Sequence, residues 1–181
     1  VRLLSEHIHT GQNLESIPPQ AIERIEIMRG AASAQYGTGP IGGIVNIVTR
    51  KCTGKPAISV EAAGGSYDTY EAGTSILVPA GDAVRISSFA RWEQSDGAPL
   101  LKPASRAGHT GYTRLNLLNR VDADLGKDTD VFASLNYVGN TMDFNNGTSA
   151  SPRWGTADMY LVTPVVGLSH ALSSSVDLSG Q

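Results

Sequence analysis

Residues 22–51 read IERIEIMRGAASAQYGTGPIGGIVNIVTRK, and the rest of the chain is organised around them. The stretch opens with charges interleaved among isoleucines and passes through Tyr36-Gly37-Thr38-Gly39-Pro40-Ile41-Gly42-Gly43. Glycine loses the most backbone entropy on ordering and proline lacks the amide donor, so this segment sustains neither a helix nor a central strand. A tight, irregular connection is predicted there. After it, the β-branched residues Ile44, Val45, Ile47, Val48 and Thr49 predict a strand. Ahead of it the period is ambiguous. Ile22, Ile25 and Met28 would line a helix face, whereas Ile25 and Ile27 would share a strand face. Pro18 and Pro19 suit a helix start, which predicts one helical turn to about Arg24 and then a strand.

On these residues the stretch resembles the C-terminal half of the plug domain of TonB-dependent outer-membrane receptors. The shared pieces are Ile22-Glu23-Arg24-Ile25-Glu26, Arg29-Gly30, Ser33-Ala34, Tyr36-Gly37, Gly39, Ile41-Gly42-Gly43, Val45-Asn46-Ile47 and Thr49. Ala31 is a departure, since the family usually carries proline after the Arg-Gly pair. The resemblance implies a plug glycine loop at Tyr36, Gly37, Gly39, Gly42 and Gly43. It also implies that charges at Glu23, Arg24, Glu26 and Arg29 lock the plug to the barrel wall.

A competing motif is set aside on chemistry. Gly37-Thr38-Gly39-Pro40-Ile41-Gly42 satisfies G-x-G-x-x-G, with Glu61 about 20 residues on. That fingerprint binds a dinucleotide only where its third glycine opens a helix onto the pyrophosphate. Here a strand former follows instead, and no Gly-Lys-Ser or Gly-Lys-Thr phosphate loop is present.

Composition narrows the classes further. With 14 basic and 17 acidic residues the chain lacks the excess of positive charge that nucleic acid requires. Cys52 is the only cysteine, so no internal disulfide forms. No apolar run is long enough for a transmembrane helix. Membrane barrel strands alternate and average to modest hydropathy, so they remain open. His7 and His9 would share one side of a strand, but no third metal ligand lies near, and no metal or cofactor is expected. No Ser-His-Asp arrangement, zinc spacing or confirmed nucleotide loop points to an enzyme.

Beyond the linker Thr53–Pro56 the period becomes two. Ile58, Val60 and Ala62 alternate with Ser59, Glu61 and Ala63. Tyr70, Ala72, Thr74, Ile76 and Val78 alternate with Glu71, Gly73, Ser75 and Leu77. Val84, Ile86, Ala90 and Trp92 oppose Arg85, Ser87, Arg91 and Glu93, with Phe89 an exception on the polar side. The alternation recurs at Leu115–Leu125, Val131–Tyr137 and Tyr160–Leu168, and a seventh strand begins at Val176. Pro164 is a flaw that normally demotes a strand to an edge or bulge.

The joints run as a short glycine loop (64–68), a tight turn, a long loop (94–111), a tight turn, a long loop (140–158) and a tight turn. Short periplasmic turns alternating with longer outer loops are the habit of outer-membrane barrels. The expected fold is therefore mostly β: a fragment of a plugged antiparallel outer-membrane barrel. Residues 1–52 would be the C-terminal part of the plug, 53–56 a linker, and 57–181 the first six to seven strands, most of the wall lying elsewhere. A soluble β-sandwich is the bland alternative.

The resemblance implies an energy-coupled receptor in the outer membrane of a Gram-negative bacterium, importing a large scarce nutrient such as a ferric siderophore, haem or cobalamin. Its partners would be TonB, through a segment ahead of Val1, outer-membrane lipid, and a small-molecule ligand such as a metal chelate. Ligand contacts are expected at Asp96, Lys102, Arg106 and His109 in one long loop, and at Asp143, Asn145, Asn146, Arg153 and Trp154 in the other. A passive porin-like channel or a surface adhesin built on the same barrel is the alternative; it would leave residues 22–51 without a role.

Overall fold

The computed structural model describes residues 17–29, 43–98, 110–126, 128–145, 151, 153–173 and 176–180. A 3-10 turn at Pro19–Ala21 leads into β1 (Ile22–Arg29), which pairs antiparallel with β2 (Gly43–Thr49) as a two-stranded sheet. Seven further strands follow: β3 (Ala57–Gly65), β4 (Thr69–Ala80), β5 (Val84–Ser95), β6 (Tyr112–Asp124), β7 (Thr129–Asn145), β8 (Trp154–Ser173) and β9 (Val176–Gly180). They form one antiparallel sheet in strict chain order, each strand beside the next.

The helical turn anticipated to about Arg24 ends at Ala21 instead, and the strand starts at Ile22. The reason lies across the sheet, where Ile22 pairs with Thr49 and the Arg50 amide donates to the Ala21 carbonyl at 2.7 Å. Pairing with the β-branched run overrides the local helical period.

Strand length is the first physical clue to the large sheet. β4 to β8 run 12, 12, 13, 17 and 20 residues, well above the five or six usual in globular domains. Strands tilted across a bilayer need about 9–11 residues for the hydrocarbon alone. The second clue is which side chains are exposed. Ile58, Val60, Tyr70, Trp92, Leu115, Val121, Leu135, Tyr160, Val162, Val166 and Leu168 all face outward, while Ser75, Ser87, Asn116, Arg120, Asn136 and Asn140 on the other face are buried. Because side chains alternate along a strand, the two sets occupy opposite faces.

A soluble sandwich buries its apolar face against a second sheet. Among the described residues the seven-stranded sheet has its apolar face open and its polar face buried along β4 to β7, which is the order of a membrane wall rather than of a sandwich. Two polar groups on the outward face satisfy each other: Ser88 Oγ donates to Asn119 Oδ1 at 2.7 Å, in the row that also holds Ile76, Leu135 and Pro164. Pro164 does not interrupt β8, whose register with β7 runs unbroken through the pair Leu135–Pro164.

The turn at 81–83 falls where expected, and β6 ends at Asp124 with β7 starting at Thr129, either side of the second expected turn. At the opposite ends the connections differ from expectation. The first outer joint is only 66–68, because Gly64 and Gly65 belong to β3, and Tyr67 and Asp68 take positive φ of 60° and 49° to close it. Where a loop over 140–158 was expected, β7 continues to Asn145 and β8 already starts at Trp154, both well past the apolar band. Polar residues on both faces had the look of a loop, but Thr141 Oγ1 donates to Asp158 Oδ1 at 2.7 Å and Thr156 Oγ1 to Asp143 Oδ1 at 2.9 Å across the continuing ladder.

Candidate functional site: the seat on the inner face

The core of the described structure lies where the segment before β1 meets the polar face of the large sheet. Ile17, Ala21, Phe89 and Leu118 form one buried cluster, with Ile22, Ile47 and Leu77 packed around it. Pro18 is fully buried beside them. Phe89, the exception in the alternation of β5, and Leu118, directly across from it on β6, break the polar pattern at this spot. Each therefore supplies apolar area to the incoming chain, and the departure from period two is the sequence signal for the seat. Ile17, Gln20, Ala21, Ser87 and Leu118 carried no such reading in the sequence.

A second contact sits one turn of chain later. The Cys52 amide donates to Ser87 Oγ at 3.0 Å, and both residues are buried. Gly73 nearby leaves the space taken by the ends of the Gln20 and Glu61 side chains, which a Cβ there would displace. The two ends of the β1–β2 hairpin thus reach the same patch of β4, β5 and β6.

Above and below this seat the inner face is charged, and its charges are paired. Arg91 reaches Glu71, with Glu61 at 3.8 Å and Glu93 at 3.7 Å. Glu93 also lies 3.9 Å from Arg114 and accepts from the Tyr112 hydroxyl. On the turn side, Arg85 pairs with Asp124, and the buried Arg120 pairs with Asp122 at 2.6 Å while stacking 3.9 Å from the Phe132 ring. Pairing of this kind is what lets charge survive where water is restricted.

The four lock residues lie on β1, and the described bonds of three of them run within the hairpin. Arg24 donates to Glu23 at 2.9 Å and to Glu26 at 2.8 Å, and Asn46 Nδ2 donates to Glu26 at 2.8 Å. The side chain of Arg29 lies outside the described residues, although its backbone pairs with Gly43. The bond from Asn46, followed by Arg24, holds the Glu26 carboxyl below the usual carboxylate range, while Glu26 first and then Glu23 raise Arg24. A depressed carboxylate contributes stability that is complete above the ordinary glutamate value and fades as pH falls through the lower folded one. The opening free energy of β1 and β2, read from amide exchange relative to the intrinsic rate at each pH, is therefore expected to stay constant from neutral pH down to the ordinary glutamate range and then to fall. Glu26→Gln should remove that step; an opening free energy flat in pH in the unmutated protein would count against this bonding.

Of the expected ligand contacts, Asp96, Asp143, Asn145, Arg153 and Trp154 all lie at the end of the sheet opposite the turn 81–83. The Asp96 amide donates to the Tyr67 carbonyl at 2.9 Å, the Asp143 amide to Gly111 at 2.8 Å, and the Arg153 amide to Asn145 Oδ1 at 3.0 Å. Asp143, Asn145 and Trp154 sit on strand ends rather than in a loop. Lys102, Arg106, His109 and Asn146 lie outside the described residues, as do Tyr36, Gly37, Gly39, Gly42, His7 and His9; Gly43 opens β2.

Comparison with known proteins agrees with this geometry. The TonB-dependent Receptor Plug Domain family matches residues 2–44. The vitamin B12 transporter BtuB of Photobacterium profundum is 26% identical over 158 residues, 87% of this chain and 26% of that protein. The ferrienterobactin receptor of Escherichia coli is 48% identical over 54 residues, 30% of this chain and 6% of the receptor. A solved structure of Pseudomonas aeruginosa FpvA bound to a ferric pyoverdine superposes with a TM-score of 0.70 at 20% identity, over 86% of this chain and 22% of that one. What these matches show is a plug region at residues 2–44 followed by strands similar to those of TonB-dependent receptors. The chain spans about a quarter of the length of the vitamin B12 transporter, 26%.

Proposed function

We propose that this chain is the plug-and-wall portion of a receptor in the outer membrane of a Gram-negative bacterium that imports a large, scarce nutrient with energy delivered through TonB. Residues up to 52 would be plug, 53–56 the linker and 57–181 wall. The single observation that carries this reading is the seat: a plug-family segment packed by Ile17, Pro18 and Ala21 onto the polar face of a sheet whose apolar face is open. A porin or adhesin wall gives that seat no purpose.

The cargo would be a metal chelate or a corrinoid, as the names of the relatives suggest, or haem. Cargo would meet the receptor at the outer rim carrying Asp96, Asp143, Asn145, Arg153 and Trp154, together with Lys102, Arg106, His109 and Asn146. The glycine loop at Tyr36–Gly43 would close the plug toward that side, and Arg24, Glu26 and Arg29 would join it to wall strands of the complete receptor. The test is uptake by the whole receptor in a strain lacking its own receptors, against a panel of ferric chelates, haem and cobalamin. Accumulation of one of these that disappears when TonB is deleted is the expected result. Passage of small solutes that is indifferent to TonB would instead support the passive channel.

A further inference from the structure

The outward apolar band carries a carboxamide at its centre. Asn119 on β6 is exposed and pairs with Ser88 on β5 and with Leu135 on β7. Two outward rows separate it from the tight-turn end, Ile86–Val121 and Val84–Ala123, and two separate it from the outer end, Ala90–Leu117 and Trp92–Leu115. A side chain so placed sits near the bilayer midplane, where hydrocarbon offers neither donor nor acceptor.

Ser88 answers only part of that need. Its hydroxyl donates to Asn119 Oδ1 at 2.7 Å. A carboxamide has two N–H donors and two lone pairs on its oxygen, so one lone pair is used. The other lone pair and both Nδ2 hydrogens have no partner among the described residues. The ground beside Asn119 is low on two diagonals, at Ala90 on β5 and Ala133 on β7.

These unused groups specify the occupant. A free donor beside a free acceptor is complementary to itself, since two asparagines can each donate Nδ2–H to the other's Oδ1. Two receptors inserted in the same direction pair symmetrically only about a two-fold axis along the membrane normal, so each residue meets its own copy at the same depth. Strands tilted by ~45° then cross nearly at right angles, which centres the contact on one row. A crossing at Asn119 brings the two carboxamides together at the ~10 Å spacing of stacked sheets. We infer that the wall face around Asn119 docks a second copy of the receptor, β6 against β6, with reciprocal Asn119 hydrogen bonds at the centre. The inference goes beyond import and rests only on the lipid-facing reading of the sheet.

The test uses the whole receptor with Val121→Cys, one row from the centre, in a Cys52→Ser background and in phosphatidylcholine vesicles. A bis-maleimide linker should give a species of twice the receptor mass. Adding Asn119→Leu should move its half-maximal yield to about five- to tenfold higher receptor-to-lipid ratio, the weight of two hydrogen bonds between membrane segments. Asn119→Gln, which keeps a carboxamide, should stay close to the unmutated side chain. No doubled species, or equal yields from Asn119→Leu and Asn119, would overturn the dimer. So would a cross-link to a different protein in native outer membranes. A fluorescent label on Val121→Cys, at high lipid dilution, separates the two ideas: one that a bilayer quencher fails to reach would sink the lipid-facing reading itself, whereas a quenched label with no doubled species would sink only the dimer.

Discussion

Leu135→Arg in the whole receptor is expected to cost about 2–4 kcal/mol of stability in a bilayer, the penalty for an arginine near the membrane midplane of a barrel. Leu135 is 45% exposed on β7 and faces Pro164 on one side and Asn119 on the other, in the middle row of the outward apolar band. On a water-soluble sheet, a half-exposed leucine replaced by arginine would change stability by no more than about 0.5 kcal/mol. Equilibrium folding into lipid vesicles measures the difference directly. Thr141→Arg, on the same face but beyond Tyr137 and level with Asp158, should be nearly silent, because the penalty falls to about 0–1 kcal/mol at the interface.

The second large effect is at the seat. Phe89 is 1% exposed and fills the space between Ile17, Ala21 and Leu118. Phe89→Ala removes that ring from a packed site and should cost about 3–5 kcal/mol. The loss should fall on the plug contact and not on insertion of the wall, since Phe89 is on the inner face and the backbone ladders of β4, β5 and β6 remain. Limited proteolysis and amide exchange should therefore show residues 17–29 becoming accessible while β4–β6 stay protected. Ser87→Ala, which leaves the buried Cys52 amide without its acceptor, should act in the same direction by about 1–3 kcal/mol. If Phe89→Ala instead blocked assembly of the wall and left 17–29 protected, the ring would be serving the sheet and not the seat.

These two residues also show what could be read before the structure. The large sheet was legible because an open apolar face and an inner polar face impose a period of two. The six complete strands, the turn at 81–83 and the apolar face all follow from it, and a seventh strand starts where expected. The same rule failed where its cause lapses. Past Tyr137 and Tyr160 the outward face leaves the apolar band, alternation of polarity disappears, and strand ends such as Asp143–Asn145 looked like loop. At Phe89 the pattern broke for the opposite reason, since a piece of the chain far away in sequence covers the polar face there. Alternation reports the medium on each side of a strand, and it cannot name a neighbour that lies some seventy residues away, as Ile17 does from Phe89. The end of the helical turn at Ala21 belongs to the same class, because it is set by pairing between Ile22 and Thr49.

The central claim is that one face of the β3–β9 sheet meets lipid and the other encloses the plug. Single fluorescent labels at Leu135→Cys and Ser134→Cys, neighbours in sequence on opposite faces of β7, test it most directly in the reconstituted whole receptor with Cys52→Ser. A quencher confined to the bilayer should extinguish the label at position 135 and leave the one at 134 bright. Equal quenching by a water-soluble agent at both positions, with none from the bilayer, would contradict the account.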